Sequence, residues 1–192
     1  MSSEDADERA DQLRCTEIAV DRTPEAAFVS NLGTASYVLA GVEDRDLNFY
    51  LWGSMGVTTP VGLGLAMAAD RLVTVLDGDG STLMSMGALA TVSRYDPSNL
   101  TVVIWDNQRF NTTGGQPTLS EVTDFGAVAE GVGLRSYTAM SNEEFREAYA
   151  AAAVEYDGAA VVVCSVSSVS TESRPPFDFA HIKHRFRNAM RE

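Results

Sequence analysis

Two apolar runs, each halted by an acid- or amide-bearing turn, constrain this chain more than any other feature. Leu72 to Leu76 stops at Asp77-Gly78-Asp79-Gly80-Ser81, and Leu100 to Trp105 stops at Asp106-Asn107. A helical pattern over 82–94 lies between them. Two buried strands joined by a helix pair in parallel, and ligands bind at the carboxyl ends of such strands. Glycines on both sides of Asp79 let the backbone approach a bound group. Ser81 opens a helix, whose free amides suit an anion. Asp79 and Asn107 bring hard oxygen donors to the same rim, where a small divalent cation could bridge to phosphate oxygens. The residues themselves therefore point to a metal–diphosphate site.

The remaining chain repeats the same alternation. Ala26 to Ser30, Leu47 to Trp52 and Ala159 to Val166 read as strands, with a shorter one at Leu134 to Tyr137. Helices are expected from Asn31-Leu32-Gly33-Thr34 to Gly41, over Thr58 to Ala69, over 121–131, over Asn142 to Glu155 with Ser141 as its cap, and over Phe177 to Met190. Strand and helix in turn predict an α/β fold: a single three-layer domain over 1–192, its central, mostly parallel sheet covered on both faces. Residues 1–14, polar and acidic, are expected to be a flexible or loosely helical N-terminus.

The charge narrows the partners. Twenty-seven acids against fourteen bases give −13, and Lys183 is the only lysine. Such a surface argues against nucleic acid, whose phosphates need basic contacts. An acid-rich, lysine-poor surface is also one that concentrated salt screens, which suggests a halophilic source. The start has no apolar signal region and no stretch is long enough to span a membrane, so a cytoplasmic location is expected. Cys15 and Cys164 are too few and too far apart for a disulfide framework or metal cluster. His181 and His184 read as solvated. Arg174, Lys183 and Arg185 could meet an anionic substrate tail, although a surface role is the simpler reading.

Gly78-Asp79-Gly80, then residues 81–105, then Asp106-Asn107, resembles the thiamine-diphosphate motif: a GDG triplet, about two dozen residues and a paired Asn. Asp106 replaces the first Asn of the pair, and Asn107 keeps the second. The resemblance implies a Mg²⁺ held by Asp79, Asn107 and the backbone carbonyl of Arg109, beside a diphosphate on Gly78, Gly80 and Ser81. It also places Thr34 of the Gly33-Thr34 pair on the diphosphate. Gly53-Ser54-Met55-Gly56 is similar to the Gly-Ser-X-Gly of related decarboxylases. There the bulky X, here Met55, props the cofactor while the Gly53 carbonyl accepts a bond from its pyrimidine amino group. The loop after Asn107 would close over the diphosphate with Phe110, Asn111 and Thr112. Its Thr112-Thr113-Gly114-Gly115-Gln116-Pro117-Thr118 run resembles sulfopyruvate and phosphonopyruvate decarboxylases, which act on small 2-oxo acids with an anionic tail.

Enzymes of this kind use a second, pyrimidine-binding domain that supplies a glutamate to the cofactor's ring. This sequence holds one such module, and no catalytic glutamate is assigned to it. In sulfopyruvate decarboxylases the two domains are separate polypeptides, and the chain is similar to their β subunit. The resemblance thus implies a hetero-oligomer with an α subunit, acting as a carbon–carbon lyase on a small anionic 2-oxo acid. A phosphonopyruvate decarboxylase half and a non-catalytic cofactor-binding subunit are the competing readings. A ferredoxin-linked oxidoreductase subunit is disfavoured, because its cluster-binding cysteines are missing.

Overall fold

The computed structural model describes residues 9–191. Six strands form one sheet, all parallel, in the order β2-β1-β3-β4-β8-β7. They are β1 (Ala27–Ser30), β2 (Asn48–Tyr50), β3 (Val73–Gly78), β4 (Leu100–Asp106), β7 (Arg135–Ala139) and β8 (Ala160–Ser165). β1, and β3 and β4 up to their last residues, are buried throughout, which explains their unbroken apolar and β-branched runs. Two further two-residue strands, β5 (Arg109–Phe110) and β6 (Gln116–Pro117), pair antiparallel as a small hairpin.

Helices cover both faces of the sheet. On one face α1 (Gln12–Arg22), α2 (Thr34–Val42) and α7 (Asn142–Ala150) pack Cys15, Ile18, Leu39, Phe145 and Tyr149 onto Phe28, Leu76, Val103 and Val162. On the other, α3 (Thr58–Ala68), α5 (Gly87–Tyr95) and α6 (Phe125–Gly131) pack Leu63, Leu89, Val92 and Phe125 onto Val29, Val75, Val102 and Val161. The terminal α8 (Phe179–Ala189) closes the β2 edge and reaches both layers, Ile182 joining the first and Phe186 the second.

The expected α/β sheet is therefore present, with some differences at the level of elements. Residues 1–8 lie outside the described residues, so the expectation for that part is not met by any observation. From Arg9 onward the expected loose N-terminus is replaced by order. Ala10 forms a parallel bridge with Val166, and α1 follows, its first amides (Leu13, Arg14) bonded to the Asp11 carboxylate. Burial of Gln12 and Thr16 hid this helix from an apolar pattern. The single helix expected over 82–94 is two: α4 (Asp79–Met84) begins directly at the aspartate, and the chain turns at Ser85-Met86 before α5. The helix expected over 142–155 ends in a π turn at Ala151–Glu155.

Candidate functional site

The strand order reverses around β1 and β3: β1 leads through α2 to β2 on one side, whereas β3 leads to β4 on the other. A crevice opens at the carboxyl ends there, the position that favours ligands in open parallel sheets. Asn31, just after β1, bonds its N–H to the Leu76 carbonyl, and its amide lies beside Gly78. Thr58 donates to the Asn31 side chain (3.3 Å). Gly78 pairs with Trp105 across β3 and β4, so the next residues of each strand, Asp79 and Asp106-Asn107, emerge side by side.

One cleft gathers most of the residues singled out from the sequence. Thr34, Met55, Gly78, Asp79, Gly80, Ser81, Asn107, Arg109, Phe110, Asn111 and Thr112 all line it. Gly53 and Ser54 do not; they border a different cleft with Trp52, Val57 and Phe179. Ser54 and Gly56 flank Met55 with positive φ, 67° and 85°. For Ser54 this is an uncommon conformation, the kind found where a backbone is held for use. The Gly56 N–H donates to Ser81 Oγ (3.0 Å), tying this turn to the start of α4. Asn31, whose turn through Thr34 ends the first strand on this rim, lines the main cleft too, as do Gln12 and Trp105, which had no sequence signal pointing to it. The indole N–H of Trp105 is buried and has no acceptor among the described residues.

Asp79 is nearly inaccessible, 3% exposed. Thr118 donates to its Oδ2 at 2.6 Å. Burial pushes its carboxyl above the usual range, against hydrogen bonds from Thr118 and the Gly80 amide, and the neighbouring Asp106 charge adds to the rise. An adjacent cation reverses that balance by favouring the charged form. Asp106 accepts from Ser120 Oγ (2.7 Å) and the Gln108 N–H (3.2 Å). Asn107 Oδ1 accepts the Arg109 N–H (3.0 Å) and, as a carbonyl oxygen, keeps a second lone pair. The Thr118 N–H donates to the Gln108 carbonyl (3.0 Å), so the next rung, Arg109 facing Pro117, is a non-hydrogen-bonded pair and the Arg109 carbonyl takes no ladder bond from the residue facing it.

Asp79, Asn107 and Arg109, which line one cleft, carry a donor set that would suit a small hard cation: a carboxylate, a carboxamide oxygen and a backbone carbonyl. Among the described residues no cluster of three or more His, Cys, Asp or Glu competes with it. The anion side fits as well. Gly33 has φ +75° and a Cβ there would strike Thr112 at 2.3 Å, so the 111–113 loop closes directly on the turn into α2. At Gly80 a Cβ would meet the Phe110 ring at 2.3 Å, which explains why the aspartate is followed by glycine. Below the rim, Asp77 is fully buried and receives Thr59 Oγ1 and the Gly78 N–H (both 3.0 Å), a brace under the turn.

Comparison with known proteins gives the geometry a context. Residues 31–164 match the family model for the thiamine pyrophosphate enzyme, C-terminal TPP binding domain. The chain is 36% identical to sulfopyruvate decarboxylase subunit beta of Methanococcus maripaludis, over 91% of this chain and 95% of that protein. It is 39% identical to phosphonopyruvate decarboxylase of Streptomyces hygroscopicus, over 88% of this chain but 43% of that longer protein. At the level of the fold, benzoylformate decarboxylase from Polynucleobacter necessarius superposes with a TM-score of 0.69 and the thiamine diphosphate-dependent 4-hydroxybenzoylformate decarboxylase of Rhodococcus jostii with 0.70, each at 20% identity, over 86% and 85% of this chain and 34% of theirs.

Proposed function

This chain belongs to the thiamine pyrophosphate enzyme family, and from that premise we propose that it is the β, diphosphate-binding subunit of a 2-oxo acid decarboxylase. The substrate we infer is 3-sulfopyruvate, converted to sulfoacetaldehyde and CO₂ with thiamine diphosphate and Mg²⁺ as cofactors. A separate α subunit would complete the site and bring the glutamate. The observation that carries this reading is the match to two proteins named sulfopyruvate decarboxylase subunit beta, at 36% and 37% identity over 95% and 88% of their lengths; the phosphonopyruvate decarboxylases are matched over 43% and 42% of theirs. Similar identity to the latter makes phosphonopyruvate the second substrate to test.

Thiamine diphosphate, when bound, supplies the electron sink that takes up the pair released as CO₂ leaves the 2-oxo acid. The chain's own residues would hold and shape. Asp79, Asn107 and the Arg109 carbonyl would hold Mg²⁺, and Gly78, Gly80, Ser81, Thr34, Asn111 and Thr112 would cradle the diphosphate. Met55, set between two left-handed residues, would prop the cofactor in its reactive shape, with Gly53 and Ser54 supporting that turn. Phe110, lying over Gly80, shields this end from water. An acidic, lysine-poor surface further supports a salt-adapted protein.

The test is reconstitution. The purified chain with cofactor and Mg²⁺ releases no CO₂ from sulfopyruvate, phosphonopyruvate or pyruvate; adding the α subunit restores release, most strongly from sulfopyruvate. Turnover by the chain alone would overturn the split site. Cofactor binding without turnover by the pair would favour a non-catalytic subunit.

A further inference from the structure

Beside the main cleft lies a second one that shares Thr34, Asn111 and Thr112 with it and is otherwise walled by residues 168–171, Arg174 and Tyr37. Its lining is unusual for a chain of net charge −13: hydroxyls, a carboxamide and one arginine, with no carboxylate. That arginine, Arg174, lies over the Tyr37 ring at 4.0 Å. Its Nη1 donates to the Thr171 and Ser173 carbonyls, both at 2.7 Å, which uses both hydrogens of that nitrogen. The Nε–Nη2 edge, two parallel N–H groups, has no acceptor among the described residues. It is the edge that grips a planar or tetrahedral oxyanion in bidentate fashion.

The segment is seated, not merely draped. Ser173 packs on Gly41 of α2, where a Cβ would come within 2.8 Å of its hydroxyl, and Ser168 Oγ reaches Asn111 Oδ1 (3.4 Å). Pro175 is buried behind it. Arg174 is thus positioned from both ends and by its stack, with its recognition edge left over.

We propose that Arg174, with the hydroxyls of Ser170 and Thr171, forms the subsite for the tetrahedral oxyanion tail of the substrate, a sulfonate or phosphonate on C3 of the 2-oxo acid. The proposal rests on the decarboxylase reading above. A tail anion entering beside a diphosphate meets repulsion, and a guanidinium backed by neutral hydroxyls is what offsets it. Tyr37 holds the cation by its ring face without neutralising it, as a carboxylate would.

The experiment uses the reconstituted pair and compares kcat/KM on sulfopyruvate, phosphonopyruvate and pyruvate for wild type, Arg174→Gln and Arg174→Lys. Losing a bidentate charged contact should cut kcat/KM on the tailed acids about tenfold or more relative to pyruvate. The lysine variant should recover part of that ratio. The better of the two tailed substrates identifies the oxyanion. Equal losses on all three acids, or none, would overturn the subsite. Titration of the pair with methanesulfonate, followed by calorimetry, stands apart from turnover. If the wild-type pair decarboxylates none of the acids, the decarboxylase reading fails. The subsite is then judged on that titration: binding lost in Arg174→Gln keeps it, and equal or absent binding in both overturns it.

Discussion

Thr118 and the Gly80 amide both bond the Asp79 carboxylate, and together they set the direction in which it would meet a cation. Thr118 is 3% exposed and its hydroxyl donates at 2.6 Å, while Ser120 two residues on holds Asp106 in the same way. Partners that orient a metal ligand are worth about 10–100-fold in metal affinity. Asp79→Ala is therefore expected to abolish Mg²⁺-dependent binding of thiamine diphosphate, and Thr118→Val to weaken it about tenfold or more. Calorimetric titration of the cofactor with and without Mg²⁺ checks both; unchanged affinity in Asp79→Ala would remove that residue from the site. At this scale the motif residues were legible because glycine, aspartate and asparagine at strand ends have few other uses. Gln12 and Thr118 were not. An amide or a hydroxyl lining a cleft looks, in sequence, like any capping or surface residue, and only the meeting of three strand ends shows otherwise.

Elements carry the packing on which that site stands. Gly62 of α3 lies against Val75 of β3, where an added Cβ would sit 2.1 Å from the valine methyl. Gly62→Ala should lower stability by about 1–3 kcal/mol through overpacking, read as a fall in the denaturation midpoint at unchanged slope. At the β2 edge, Arg185 of α8 pairs with Asp44, and Tyr50 donates to the same carboxylate (2.9 Å). Burial opposes the charge on Asp44, yet hydrogen bonds from Arg185 and Tyr50 and the guanidinium charge hold its carboxyl below the usual range. A depressed carboxyl contributes stability that is present above the unfolded value, about 4, and lost as pH falls through the folded one. Wild type should therefore exceed Asp44→Asn in unfolding free energy at pH 7, by well under about 1 kcal/mol because the pair is partly exposed, and lose that margin progressively as pH falls below about 4. A margin unchanged with pH would show that packing, not charge, docks α8. Strands and most helices could be read from their periods. The α1 helix could not, since its buried face carries Gln12, Cys15 and Thr16 among the aliphatics. The β5–β6 hairpin could not either, because two residues per strand leave no period to detect.

For the molecule as a whole, the charge is the open lever. Self-repulsion at −13 weakens as the screening length falls from about 10 Å at 0.1 M salt to about 3 Å at 1 M. The melting temperature should rise from low to molar NaCl; a fall would count against salt adaptation. Among the described residues no helix is long and apolar enough to cross a membrane. What the chain's topology settles is the separation of its two oxygen-bearing jaws. Asp79 and Asn107 project from neighbouring strands whose partners run from Val73↔Leu100 to Gly78↔Trp105. Their gap is set by the width of one rung of hydrogen bonds, not by the twenty-odd residues that join them.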